Sequence, residues 1–221
     1  MAEQLYILPI LLFSVVIHEI SHGWMALRLG DTTARDLGRL TLNPIPHIDP
    51  VGSVLVPLFS LVATGRVFIA WAKPVPVNPL NFSNMRREDI LVSVVGPLSN
   101  FLLSFLCTII FIVLSKLAPL VPESNSLLSE GMIFLLKMFS GGIVLNIVLG
   151  VFNMVPIPPL DGSHVLASLL PDELSIRYRS IGFFGIFFIL ILMRWHPFAV
   201  LFNQIIGALA YPFFQMIVLF Q

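Results

Sequence analysis

The chain has 221 residues, 57% of them hydrophobic and only 11% charged, with a mean hydropathy of +0.95. That is too apolar for a soluble globular domain, in which charged residues make up about 25%. Twelve basic and twelve acidic residues give a formal net charge of zero, and with no basic run nothing supports a nucleic-acid partner. The expectation is an all-α polytopic membrane protein forming a single domain over 1–221, with about six membrane segments. The last four residues, Val218-Leu219-Phe220-Gln221, look like the remnant of a viral 3C-protease tag site and are left out of fold reasoning.

The first apolar stretch, 5–29, is long enough to cross a bilayer and contains His18-Glu19-Ile20-Ser21-His22. An ionised residue at the centre of a membrane helix costs roughly 2.5–3.5 kcal/mol on insertion scales, so a Glu flanked by two His needs a physical reason. Residues four apart share a helix face, so His18 and His22 can present ring nitrogens to one point, with Glu19 on a neighbouring direction. Two His ligands and a carboxylate base are the zincin arrangement. Ile17, Val16 and Phe13 leave these three no polar surface to belong to. Because this segment must be retained, no cleavable signal peptide is expected.

Arg28, Arg35 and Arg39 follow the first helix and Arg86 and Arg87 precede the next long one, which places both ends in the cytoplasm and the amino terminus outside. One crossing between them would break that parity. The short apolar run 51–63, interrupted by Pro57, is therefore expected to be re-entrant or part of a hairpin that dips in and returns. The run 67–71 between Gly65 and Pro74 is β-prone; it is either a short strand whose edge could pair with an extended peptide or an ordered loop. Just ahead of both runs stand His47 and Asp49, which are either outer groups around a metal site or turn residues between prolines. Pro74, Pro76 and Pro79 make 73–84 an extended connection.

Further spans are expected at 90–117, 132–155 and 197–218, with 181–193 too short to be certain by length. In the second span, Asn100 of Gly96-Pro97-Leu98-Ser99-Asn100 suits close helix packing with an interhelical hydrogen bond. Cys107, the sole cysteine, is read as a small hydrophobe. After the third span, Pro156, Pro158 and Pro159 stop the helix and aim Asp161 from a stiffened segment. Asp161-Gly162 alone is also a common turn. A catalytic zinc site nonetheless needs a third ligand, and Asp161 is the acidic residue other than Glu19 expected at membrane depth. His164 ranks below it, since three ligands already leave the open position that catalysis requires. Arg194-Trp195-His196 has an interfacial pattern, and Phe183, Phe184, Phe187 and Phe188 are lipid-facing or packing residues by default.

Taken together, these motifs resemble the site-2 protease family of intramembrane zinc metalloproteases, peptidase family M50. The resemblance rests on His18-Glu19-Ile20-Ser21-His22 and on Asn153 through Gly162, which fits N-x-x-P-x-P-x-L-D-G, and extends through Asn43-Pro44, Pro79 and Gly96 to Asn100. It implies one Zn²⁺ per chain held by His18, His22 and Asp161, with Glu19 as general base and Asn153 hydrogen-bonding the scissile carbonyl as the oxyanion forms. It further implies an endopeptidase that cuts transmembrane protein substrates within the lipid bilayer of the cell membrane, with the active site nearer the cytoplasmic side. No stretch is long enough for a PDZ or CBS domain, so the compact branch is expected.

Two rivals remain. A zinc transporter or metal-sensing membrane protein would need several polar sites along a path, whereas one cluster is visible. A membrane zincin with Glu as its third ligand would have to draw on Glu3, Glu88, Glu123, Glu130 or Glu173, none of which stands in an apolar helix.

Overall fold

The computed structural model describes residues 6–55, 72–122 and 126–220. The described residues form helices α1 (Ile7–Arg28), α2 (Thr33–Asp36), α3 (Met85–Leu117), α4 (Ser126–Asn153), α5 (Asp161–Leu169), α6 (Asp172–Arg179), α7 (Gly185–Arg194) and α8 (His196–Phe220), with no strand among them. The all-α expectation therefore holds for these residues. Four helices, α1, α3, α4 and α8, are long and apolar enough to span a membrane, and all four coincide with the expected long spans. Among the described residues the expected count of six is not reached. Of the two shorter segments, 181–193 becomes the ten-residue α7, about 15 Å long and half the hydrocarbon thickness. The other begins as a six-residue π-type turn, Pro50–Leu55, and the rest of 51–63 and all of 67–71 lie outside the described residues.

Helix α3 is the hub, packing against α1, α4, α5 and α8. Ile10 of α1, Cys107 of α3, Ile143 and Ile147 of α4, and Ala210 and Ile217 of α8 form one buried apolar cluster. Within it the α3–α4 contact is pinned by Ser104 Oγ donating to Ile143 O at 3.0 Å. Hydroxyl and amide groups supply such ties inside a membrane, where apolar faces gain little from leaving lipid. The outward faces agree with this: Leu98 and Leu102 on α3, Phe187 and Phe188 on α7, and Leu201 on α8 are exposed.

At the far end of α1 a second cluster joins Ala26 to Val92 of α3 and to Phe82 and Val77 of the proline-rich connection. That connection runs without regular structure from 72 to 78 before a 3-10 turn at Pro79–Asn81. It is held along its length. Lys73 N–H donates to His47 O at 2.8 Å, and Arg39 Nη2 donates to Lys73 O and Pro74 O. Asp31 accepts from Asn78 N–H and from Asn81 Nδ2, both at 2.7 Å.

Candidate metal centre

The second half of α1 delivers His18 and His22 to the interior, and α5 delivers Asp161. His18 Nε2 lies 3.1 Å from Asp161 Oδ2, His22 Nε2 lies 3.4 Å from Asp161 Oδ1, and the two Nε2 atoms are 3.1 Å apart. These three residues form a group whose potential ligand atoms all fall within 4.8 Å, and Glu19 stands outside it.

The far side of each imidazole is occupied. His22 Nδ1–H donates to Val92 O at 2.7 Å, and His18 Nδ1 meets Asn100 Oδ1 at 2.6 Å. Asn100 Nδ2 donates to Asn146 Oδ1 at 3.0 Å, and Asn146 Nδ2 donates to Gly142 O at 2.9 Å. Because this relay ends on a backbone carbonyl, each carboxamide oxygen faces back toward His18, which makes His18 Nδ1 the donor. In its neutral form each ring then directs a bare Nε2 lone pair at the other ring and at a carboxylate. Three acceptors thus converge with no donor between them, and Asp161 Oδ2 is buried without a hydrogen-bond partner. A cation resolves this arrangement, and two imidazoles with one carboxylate suit a divalent metal that keeps an open position.

Local sequence explains the closeness. A Cβ on Gly96 would run into the rings of His22 and His18, so α3 can approach α1 only with glycine there. The next residue, Pro97, is fully buried and cannot donate to Ser93 O; it is in this loosened turn that Val92 O accepts from His22. Gly162 likewise sits against the backbone of Met154 and Val155, where any Cβ would clash. Its role is close approach rather than the tight turn expected from sequence. Asp161 itself is the first residue of α5, with Leu160 as N-cap, so it stands on a helix that the unwound 154–160 segment introduces.

Glu19 is half-buried, and its Oε2 accepts the Val75 backbone N–H at 2.7 Å. Asn153 ends α4, with Nδ2 donating to Leu149 O at 2.9 Å; one of its two N–H groups is therefore committed to its own helix. His164 is turned away from the metal group, 3.5 Å from Asp89 Oδ1 and 3.4 Å from Arg179 Nη1. Asp89 is buried in the first turns of α3 and also receives Arg179 Nη2 at 2.8 Å and Ser168 Oγ at 2.9 Å. His47 is buried, with Nε2 donating to Thr41 O at 3.0 Å, while Asp49 Oδ1 accepts from Val51 N and Gly52 N as a turn residue does. Near the end of α1, burial pushes the Asp31 carboxyl up, but hydrogen bonds from Thr33, Asn78 and Asn81 outweigh it and hold the group below its ordinary range.

The interhelical hydrogen bond expected of Asn100 is present twice, to Asn146 and to His18, whereas the partners Asn146 and Val92 O have no local signal in the sequence. Asn100 does pack between helices, but by holding a candidate ligand.

Comparison with known proteins agrees with this chemistry. The model of Peptidase family M50 matches residues 78–193, which contain Asp161. "Putative zinc metalloprotease YwhC" of Bacillus subtilis is 36% identical over 187 residues, covering 85% of this chain and 79% of the relative. The chain belongs to peptidase family M50, the site-2 protease family. "Putative zinc metalloprotease Rip2" of Mycobacterium tuberculosis is 30% identical over 181 residues, 82% of this chain and 63% of that protein. Its Mycolicibacterium smegmatis namesake is 28% identical over 162 residues, 73% of this chain and 56% of the relative. No solved structure matches.

Proposed function

We propose that this M50 protein is a zinc-dependent intramembrane endopeptidase that hydrolyses peptide bonds in or near transmembrane helices of membrane-protein substrates. The observation that carries the reading is the convergence of His18, His22 and Asp161 as three buried acceptors without a donor, beside a Glu19 that is not one of them. His18, His22 and Asp161 would hold one Zn²⁺. When bound, that ion supplies Lewis acidity, which polarises a carbonyl and brings the pKa of water toward neutrality.

The chain's own groups do the rest. Glu19 accepts a proton from the attacking water and passes it to the leaving amine. Asn100 and Val92 O keep His18 and His22 in the tautomer with Nε2 free. Asn153 steadies the scissile carbonyl through its uncommitted N–H. A substrate helix must unwind first, because a helical peptide bond in lipid has its polar groups satisfied internally.

The charge distribution supports a cytoplasmic-side site in the cell membrane. Arg28 closes α1, Arg86 and Arg87 open α3, and Arg177 and Arg179 lie on α6 after Asp161. His18 and His22 lie in the half of α1 nearer Arg28. The rival reading as a zinc transporter finds no second group of three or more His, Cys, Asp or Glu side chains placed to share a metal among the described residues.

The test is zinc stoichiometry beside cleavage of a transmembrane reporter by purified protein. Wild type should carry one zinc and cut, and Glu19→Gln should keep the zinc and lose turnover by about 10²–10⁴-fold. Unchanged turnover in Glu19→Gln would refute the assignment of the base. Helix-breaking substitutions in the reporter should speed cleavage.

A further inference from the structure

The proline-rich connection touches the chemistry at one atom. Across Pro74-Val75-Pro76 only Val75 carries a backbone N–H, and that N–H donates to Glu19 Oε2 at 2.7 Å. The flanking prolines remove any other backbone donor that could compete for the carboxylate and fix φ on both sides of Val75. The segment is then anchored by bonds that do not involve Glu19: upstream by Arg39 Nη2 on Lys73 O and Pro74 O and by Lys73 N–H on His47 O, downstream by Asn78 N–H on Asp31. The Val75 side chain is buried against α1, where a Cβ on Gly23 would meet Val75 Cγ1 at 2.7 Å. Gly23 follows His22 directly, so α1 has been cleared at this point to let the segment lie beside the motif.

From this arrangement we infer that Val75 is a positioning residue for Glu19. Its N–H holds Oε2 and leaves Oε1 as the oxygen that takes up and returns the proton. The inference rests on the reading of Glu19 as the base. A long, flexible carboxylate in a half-buried cleft samples several rotamers, and a single charge-assisted bond from an anchored backbone removes that freedom without adding a side chain to the cleft. The proline pair has a further consequence: this stretch cannot serve as a ladder edge for substrate pairing, since two of its three residues have no donor.

The geometry is tested without activity. Val75 has the only exchangeable amide across Pro74-Val75-Pro76, so hydrogen exchange of that peptide in the zinc-free protein reports this bond alone. Exchange should be slow in wild type and accelerate by about tenfold or more in Glu19→Ala, the loss expected for a bond to a charged acceptor. Unchanged exchange would overturn the inference.

Function is tested with Val75→Pro, which deletes the N–H but keeps a comparably sized apolar side chain, and Val75→Ala, which keeps the N–H while removing both buried methyl groups. Val75→Pro should lower kcat by about tenfold or more with KM and zinc content unchanged, and Val75→Ala should stay within about twofold of wild type. Equal losses in the two variants would assign the effect to packing, and loss of zinc from Val75→Pro would assign it to the ligands; either result overturns the inference. A wild-type kcat in Val75→Pro beside an inactive Glu19→Gln removes this inference alone. An active Glu19→Gln removes the reading beneath it.

Discussion

Two carboxylates are tied to helix α5, one at its first residue and one along its later turns, and they are provided for in opposite ways. Asp89 of α3 receives Arg179 Nη2 and Ser168 Oγ and stands beside His164, so a buried negative charge is met by donors from α5 and α6. Asp161, at the start of α5, faces two imidazole nitrogens whose protons are committed elsewhere, and its Oδ2 has no hydrogen-bond partner. A polar cluster that satisfies itself is a structural tie. One whose members are all acceptors is incomplete as a set of protein atoms, and a cation is what completes it. Both clusters share α5, so the Asp89 group fixes the helix from which Asp161 is presented.

The sharpest break of this contrast is Asp161→Ala. Removing one of three ligands should abolish zinc binding at micromolar metal and with it all cleavage, while helix content by circular dichroism stays at the wild-type level. Loss of fold together with zinc would place Asp161 in the same class as Asp89.

Next in size is Asn100→Leu, which leaves all three ligands in place but takes the acceptor from His18 Nδ1 and strands the Asn146 amide. A loss of about 10–100-fold in zinc affinity is expected, the usual effect of removing a group that orients a ligating His. It is measured by competition with a chelator. An unchanged affinity would mean that the carboxamide relay only packs α3 against α4.

How much of this was legible from sequence follows from what each feature depends on. His18, Glu19 and His22 are set by helical spacing, which is local, and Asp161 by a run of prolines whose backbone effects are equally local. The four long spans were legible for the same reason. The Asn100–His18 and Asn100–Asn146 bonds join residues 82 and 46 positions apart, and no periodicity reports which face of α3 meets which neighbour. Asp89 carries no local signal at all: it lies in the first turns of α3, and it is buried only because α5 and α6 fold over it. Gly162 reads locally as a turn residue, whereas its closeness to the backbone of Met154, which is what leaves no room for a Cβ, is a tertiary property.

The other side of the contrast predicts a different phenotype. Arg179→Met removes the main cation from buried Asp89, leaving Ser168 and His164 to meet it. Since the Arg179 side chain is 41% exposed and Asp89 only 7%, most of the penalty falls on the carboxylate. A destabilisation of about 1–3 kcal/mol is expected, read as a lowered unfolding midpoint in detergent. Zinc affinity of the folded protein should stay within about threefold of wild type. A larger loss of affinity would show that the Asp89 group tunes the metal site rather than bracing the helix that carries it.

The smallest effect should come from Asp31, which is to the proline-rich connection what Asp89 is to α5: a buried carboxylate surrounded by donors. Burial acts to raise its pKa, and the bonds from Thr33, Asn78 and Asn81 more than reverse this, so the folded-state value lies below the unfolded one of about 3.9. The stability it contributes is therefore complete above about pH 4 and is lost as the pH falls through the folded-state value, because the unfolded chain binds the proton first. Wild-type unfolding midpoints should be flat with respect to this group from pH 7 down to about pH 4 and then decline, with Asp31→Asn lower at neutral pH and less steep below pH 4. Equal acid slopes in the two proteins would mean that Thr33, Asn78 and Asn81 gain nothing from the charge, and that the connection bearing Val75 is held from its upstream end alone.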